Sequence, residues 1–438
     1  MKRSKYNLWF LIFLILTLLA FVFTMRPKAQ ALSLGAMASK TILVTNPPPT
    51  NPPEPIGSWN YLDKLYEAEN LVASSSLTLK VGKKDIIYYE NRIGQSASGN
   101  IVVSRKKISD PEREIALVIL DTKNGDLNLI KITERGNDLV LPAGYKIENY
   151  ERSNGITNNA WNTCRQITVP ENRVVLLNVW PHYITQRVAK VTKDKRGKTI
   201  TTYKNVEVVE NVTYAPYCEE LHLPEFVESG KNYRKSIPGQ AFELLRERGV
   251  KSKAFPDKLI ADVAYLKPEY FERLPLIEHM DYGEFKLDSK ISAERVDVIL
   301  GTNTAQAYNL TVSKAGARGW LQYTRKTWNN MRNNYKSAQL PVFELGASNH
   351  VDSMVAAILL HDTNLKAAID KFGQSILSDP NQLEEMLAAS YNGGTFYPHA
   401  ALRASILQSL EDWLIKPMKI ETRQYIEKLR YVRDNYSN

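Results

Sequence analysis

The feature that most constrains this chain is a change of pattern near His222. Before it, from about Leu77 to Glu219, apolar residues alternate and β-branched residues are frequent. Gly, Asn and Asp separate runs such as Ile115-Ala116-Leu117-Val118-Ile119-Leu120 and Val174-Val175-Leu176-Leu177-Asn178-Val179. Alternation with a period of two puts successive side chains on opposite faces of a strand. Asn124-Gly125 between two such runs is a hairpin signal, and Lys195-Arg196-Gly197-Lys198 reads as another hairpin tip. After His222 the pattern turns helical and stays so. The spacing predicts helices over 240–249, 258–266, 268–280, 293–300, 323–333, 351–372, 383–390 and 422–435, and a short amphipathic helix over 59–72.

The N-terminus carries Lys2, Arg3 and Lys5 before an uncharged apolar run from Leu8 to Thr24. A basic start before such a run directs the rest of the chain outward. The run reads as an uncleaved anchor in the inner membrane; Ala29-Gln30-Ala31 offers the alternative of a cleaved signal followed by secretion. Asn46 to Pro55 is a proline-rich linker of extended character. The expected fold is therefore multidomain: residues 1–30 an N-terminal transmembrane helix or signal, 31–58 a linker, 59–222 a β-rich accessory domain, and 223–438 a helical domain. The β-rich part shows no catalytic constellation. It suits wall contact, spacing, or binding of an envelope protein partner.

The formal charge is +10, which favours anionic partners such as cell-wall polymers or lipid. No Lys/Arg-rich run with interleaved aromatics is present, so nucleic acid is not an expected partner. The six histidines form no metal-ligand spacing, and no metal or cofactor is expected. The two cysteines, Cys164 and Cys218, could pair in an oxidising compartment or remain free thiols.

Three stretches of the helical part stand out. Ser313-Lys314-Ala315-Gly316-Ala317-Arg318-Gly319-Trp320-Leu321-Gln322 crowds small residues into a tight turn before a helix that can bury Trp320, Thr327, Trp328 and Met331. Ala388-Ala389-Ser390-Tyr391-Asn392-Gly393-Gly394 and Glu421-Thr422-Arg423-Gln424-Tyr425 follow. In this order they resemble the soluble lytic transglycosylase family, lysozyme-like enzymes that cut peptidoglycan, over roughly residues 225 to 435. The resemblance implies an all-α lysozyme-like domain in the cell envelope. It implies peptidoglycan glycan strands as substrate, cleaved by one glutamate into 1,6-anhydro-muramyl ends. It also implies roles at the glycan cleft for Ser313, Gln322, Tyr391, Asn392 and Tyr425, with Glu421 beside them.

The family's glutamate ends an apolar helix. Leu274-Pro275-Leu276-Ile277-Glu278 resembles that entry, with His279 where the family has Ser. An acid that must stay protonated near neutral pH needs such an apolar setting. Glu284 is the second candidate and Glu294 the third. The family spaces its glutamate about nine residues before the turn's Ser, and counting nine back from Ser313 gives Thr304. Either a helix is inserted between Glu278 and the turn, or Thr304 has replaced the acid and the domain is an inactive wall-binding scaffold. A hydrolytic muramidase is the remaining alternative.

Overall fold

The structure is a computed structural model that describes residues 59–95, 101–136, 138–149, 160–193, 196–197, 199–313 and 315–436. The first helix, α1 (Tyr61–Ser74), opens on Asn60, whose side chain accepts a hydrogen bond from the Asp63 amide. It buries Tyr61, Leu65 and Ala68, the i, i+4, i+7 stripe of an amphipathic helix.

The sheet follows: β1 (Val81–Gln95), β2 (Ile101–Asp121), β3 (Leu127–Arg135), β4 (Asp138–Val140), β5 (Lys146–Asn149), β6 (Arg165–Val169), β7 (Arg173–Lys193) and β8 (Thr199–Tyr214). The order is β4-β3-β2-β7-β6-β5, with β1 also on β2 and β8 also on β7. Every pairing is antiparallel. Asn124-Gly125 makes the β2–β3 turn, with Gly125 at φ +79, and Gly197 lies in the β7–β8 connection. The run Ile115 to Leu120 is apolar without interruption because β2 is covered on both faces. Ile115, Leu117 and Ile119 pack with Ile147, Ile167 and Trp180. Val118 and Leu120 face the other way, toward α1 and the helical region.

The helices are α2 (Pro224–Glu247), α3 (Pro268–His279), α4 (Tyr282–Leu287), α5 (Ser289–Asn303), α6 (Arg325–Asn334), α7 (Phe343–Gly346), α8 (His350–Phe372), α9 (Pro380–Gly393), α10 (Phe396–Leu407) and α11 (Ile420–Tyr431). The stretch 258–266 is not the helix its spacing predicts. It holds one 3-10 turn, Ile260–Asp262, while Leu259 is drawn into a bridge with Lys251. Met354 to Leu359 of α8 are fully buried and form the middle of the helical core.

The fold class read from the sequence is corrected here. The sheet and the helices are not a β-rich domain beside an all-α domain. Phe226 and Val227 of α2 and Val298 of α5 share one apolar cluster with Tyr61, Leu65, Val118, Leu120 and Leu176. Residues within Pro49–Asn438 form one compact unit of mixed helix and sheet. The physical cause is that α2 begins directly after the sheet and lays its first turns on the sheet's apolar face. Among the described residues, no helix is long and apolar enough to cross a membrane, and the transmembrane helix expected at the N-terminus is not among them. The segment 1–30 and the linker 31–58 lie outside the described residues.

Helices α2 and α5 cross at backbone contact. A Cβ on Gly230 would stand 1.8 Å from the Asp297 carbonyl oxygen, and one on Gly301 would stand 2.2 Å from that of Phe226. At this crossing Arg234 donates to both oxygens of Asp297, at 2.9 and 3.2 Å, and Tyr436 adds a third bond at 2.9 Å. Both charges are fully buried, so each needs the other. Gly230→Ala should destabilise the protein by on the order of 3 kcal/mol, because backbone must move to admit the methyl. Thermal unfolding checks this; an unchanged midpoint would mean that the helices do not touch.

Candidate active site

Helix α3 ends in the side chain that matters most. Leu274, Leu276 and Ile277 anchor its last turn in the core, and Glu278 comes next, half-buried on the wall of a cleft. The Tyr425 hydroxyl, from α11, donates to Glu278 Oε1 at 2.8 Å. Lys428, one turn further along α11, donates to the Ile277 carbonyl and, at 2.8 Å, to that of Met280. A buried ammonium thus caps the carbonyls at the end of α3.

Burial raises the Glu278 carboxyl to about 7, against the opposing pull of the Tyr425 bond and the Lys428 charge. Burial also lowers Lys428 to about 8. A carboxyl held near neutral pH can donate a proton and later take one back. His279 does not compete for that role. Its ring is stacked on Tyr308, with centroids 3.6 Å apart, and its Nε2 lies 2.7 Å from the Trp320 carbonyl. Burial pushes it down to about 3, so it is neutral and Nε2 carries the donated proton.

The glycine turn forms the second wall. Ser313 closes it: its amide donates to the Ala317 carbonyl at 2.8 Å, and its Oγ accepts from the Ala317 amide at 3.0 Å. Gly319 sits at φ +74, and a Cβ there would stand 1.9 Å from the Ala347 carbonyl oxygen. Trp320 is fully buried and bonded through its indole N–H to Ser353. Gln322 turns back at φ +49 and donates to the Gly319 carbonyl at 2.7 Å. Ser313 and Gln322 line the same cleft as Glu278.

Tyr391 and Asn392 serve behind that wall. The Tyr391 hydroxyl donates to the Leu321 carbonyl at 2.6 Å, holding the glycine turn from below. Asn392 accepts from the Thr422 hydroxyl at 2.9 Å, pinning the start of α11. Neither is among the residues lining the cleft. Glu421 is exposed in the first turn of α11, where its charge pushes the Glu278 carboxyl up.

Glu284 is set apart from the chemistry by an ion pair. Arg295 holds its carboxylate at 2.9 Å, and Glu284 does not line the cleft. Glu294 is paired with His222 at 3.1 Å and lies below the usual carboxylate range. Thr304 is exposed, at φ +44, beyond the end of α5. The long interval between Glu278 and Ser313 is filled by α4 and α5, the second of which crosses α2 in the core.

A third wall has no local signature in the sequence. Trp161, Asn162, Tyr214 and Tyr217, all from the sheet region, line the same cleft as Glu278, as do Arg295 and Tyr308. The cleft has a volume of about 400 Å³, within the range of small-ligand sites. The cysteines lie next to this wall and are joined, Cys164 to Cys218.

The chain matches no protein-family model, no curated protein and no solved structure. The family resemblance rests on the sequence motifs.

In a carbon-13 NMR titration, the Glu278 carboxyl should titrate near pH 7, well above the ordinary 4.5. Tyr425→Phe removes a bond that favours the ionised form, so its midpoint should move upward. The linkage has a definite sign. A carboxyl raised in the folded state contributes stability below its unfolded pKa, and this contribution is lost as pH climbs through about 7. Glu278→Gln should therefore gain on wild type in thermal stability between pH 4 and pH 8. A midpoint near 4.5, or no gain, would place the carboxyl in water.

Proposed function

We propose that the protein is a peptidoglycan lytic transglycosylase of the cell envelope, with Glu278 as its single acid and base. The observation that carries this reading is the half-buried Glu278 carboxyl, raised toward neutrality and held by Tyr425 on the wall of a cleft. In the first step the carboxyl gives its proton to the bridging oxygen between N-acetylmuramic acid and N-acetylglucosamine. The bond from C1 to that oxygen breaks as the proton arrives. The resulting carboxylate then takes the proton of the muramyl C6 hydroxyl, whose oxygen closes on C1. The products are a free 4-hydroxyl and a 1,6-anhydro ring; no water is consumed, and Glu278 ends protonated as it began.

A hydrolytic muramidase needs a second carboxylate or a positioned water. Asp281 is the other carboxylate lining the cleft, and its Oδ1 accepts from the Glu284 amide at 3.1 Å as the cap of α4. That engagement favours the one-glutamate route. The scaffold alternative rests on Thr304 as a lost acid, and Thr304 does not line the cleft. The basic charge and the Cys164–Cys218 disulfide suit an oxidising compartment rich in anionic polymer.

The test is digestion of peptidoglycan by the region from Trp59 onward, with products identified by mass. Wild type should release anhydro-muropeptides. Glu278→Gln should lower the rate by roughly 100- to 10,000-fold, the usual contribution of a positioned acid. Activity should fall as pH rises through about 7, because the acid is then ionised. Hydrated reducing ends would point to a muramidase. A folded protein that binds wall and releases nothing would be a scaffold.

A further inference from the structure

The wall supplied by the sheet has no place in the mechanism above, yet it is among the most firmly built parts of the cleft. Trp161 sits in the 3-10 turn Ala160–Asn162, which joins β5 to β6. Its carbonyl accepts from Asn178 Nδ2 at 2.9 Å, and the same amide group reaches the Thr163 carbonyl at 2.8 Å. Asn178 is itself held by Arg165 at 3.0 Å, and Arg165 by Glu134 at 3.1 Å. Asn178 and Arg165 are both about 99 % buried. Tyr217 is fixed from the other side. Its hydroxyl lies 2.7 Å from His222 Nδ1, and His222 Nε2 lies 3.1 Å from Glu294 of α5.

The disulfide joins these two segments. Cys164 follows Trp161 by three residues and Cys218 follows Tyr217 directly; their Cα atoms are 5.4 Å apart. The rings of Trp161 and Tyr217 therefore belong to one covalently stapled wall, buttressed by buried polar groups, facing the cleft that holds Glu278. Trp161 packs against both the sheet core and the helical core while still lining the cleft. A pyranose presents an apolar C–H face beside a polar rim, and a fixed aromatic ring matches that face at little entropic cost. An extended glycan lying along the cleft past Glu278 meets this wall.

We propose that Trp161 and Tyr217 form a sugar-stacking subsite for an N-acetylated hexose of the glycan strand, supplied by the sheet and separate from the helical motifs. The proposal rests on the glycan reading above. Its rival is a purely structural Trp161 that seals the junction between sheet and helices.

The test uses the chain from Trp59 onward carrying Glu278→Gln, so that sugar is bound and not cut. The probe is the N-acetylglucosamine tetrasaccharide, followed by calorimetry. Trp161→Leu keeps bulk and loses the ring face; it should bind about tenfold more weakly, whereas Trp161→Phe should stay within about threefold. A second measurement does not depend on how Trp161→Leu folds. With 5-fluorotryptophan incorporated, the fluorine resonance assigned to Trp161 by its absence in Trp161→Phe should shift on adding the sugar. Equal binding by a folded Trp161→Leu protein, or an unmoved resonance under saturating sugar, overturns the subsite. If wild type releases anhydro products but the tetrasaccharide does not bind, the subsite falls and the catalytic reading stands. If neither product nor binding is found, both fall.

Discussion

Helices α2 and α5 cross backbone against backbone at Gly230 and Gly301, and much of the architecture follows from that contact. Two helix backbones can meet this way only where neither carries a side chain at the contact. The approach buries Arg234 and Asp297 together, where one without the other would be an uncompensated charge. It also brings the first turn of α2 and Val298 of α5 onto the apolar underside of the sheet. Helix α5 then occupies the interval between Glu278 and the glycine turn without pushing the two apart. Its Arg295 draws off the Glu284 charge and donates to the His279 carbonyl at 3.2 Å.

The electrostatics of Glu278 are a balance of opposed effects. Desolvation favours the neutral acid; Tyr425 and Lys428 favour the anion; Glu421 sides with desolvation. Burial wins, but not by so much that the proton cannot leave. The same neighbours keep the backbone rigid, since Lys428 caps the end of α3 and the neutral His279 ties that helix to the Trp320 carbonyl. A charged residue in place of His279 would have to be buried against Arg295 and Lys428, and the stacked, neutral imidazole avoids that cost.

The parts of this site that follow local rules were legible in the sequence. Glu278 ends an apolar turn, and the turn from Ser313 to Gln322 needs small residues where backbones meet. Tyr425 follows from its motif, whereas Lys428, one helical turn on and reaching the same helix end, has no signal of its own. The partners of Tyr391 and Asn392, a carbonyl at Leu321 and a hydroxyl at Thr422, are fixed only by the tertiary fold and have no local signature in the sequence. Helices α4, α7 and α10 are not among those the spacing predicts: six and four residues are too few to show a helical period, and α10 follows Gly394 with Pro398 in its opening turn. Over 258–266 the apolar spacing looked helical, but Ile260 is buried from an extended approach whose amide bonds the Val250 carbonyl. The aromatic wall had no local signature at all. Its segments are joined by a cysteine pair 54 residues apart, and their meeting with α3 depends on how the sheet lies on the helices.

The shared apolar cluster under the sheet bears on how such a chain can change over time. Phe226, Val227 and Val298 are at once the floor of the sheet and the ends of the helices that frame the acid. No clean seam runs between the region resembling a known enzyme family and the region that does not. A segment lifted out at residue 223 would leave with a bare apolar flank and without the cleft lining that Trp161, Tyr214 and Tyr217 supply. A change of volume at Phe226, Val227 or Val298 is therefore felt on both sides at once, by the sheet and by the helices that frame the acid.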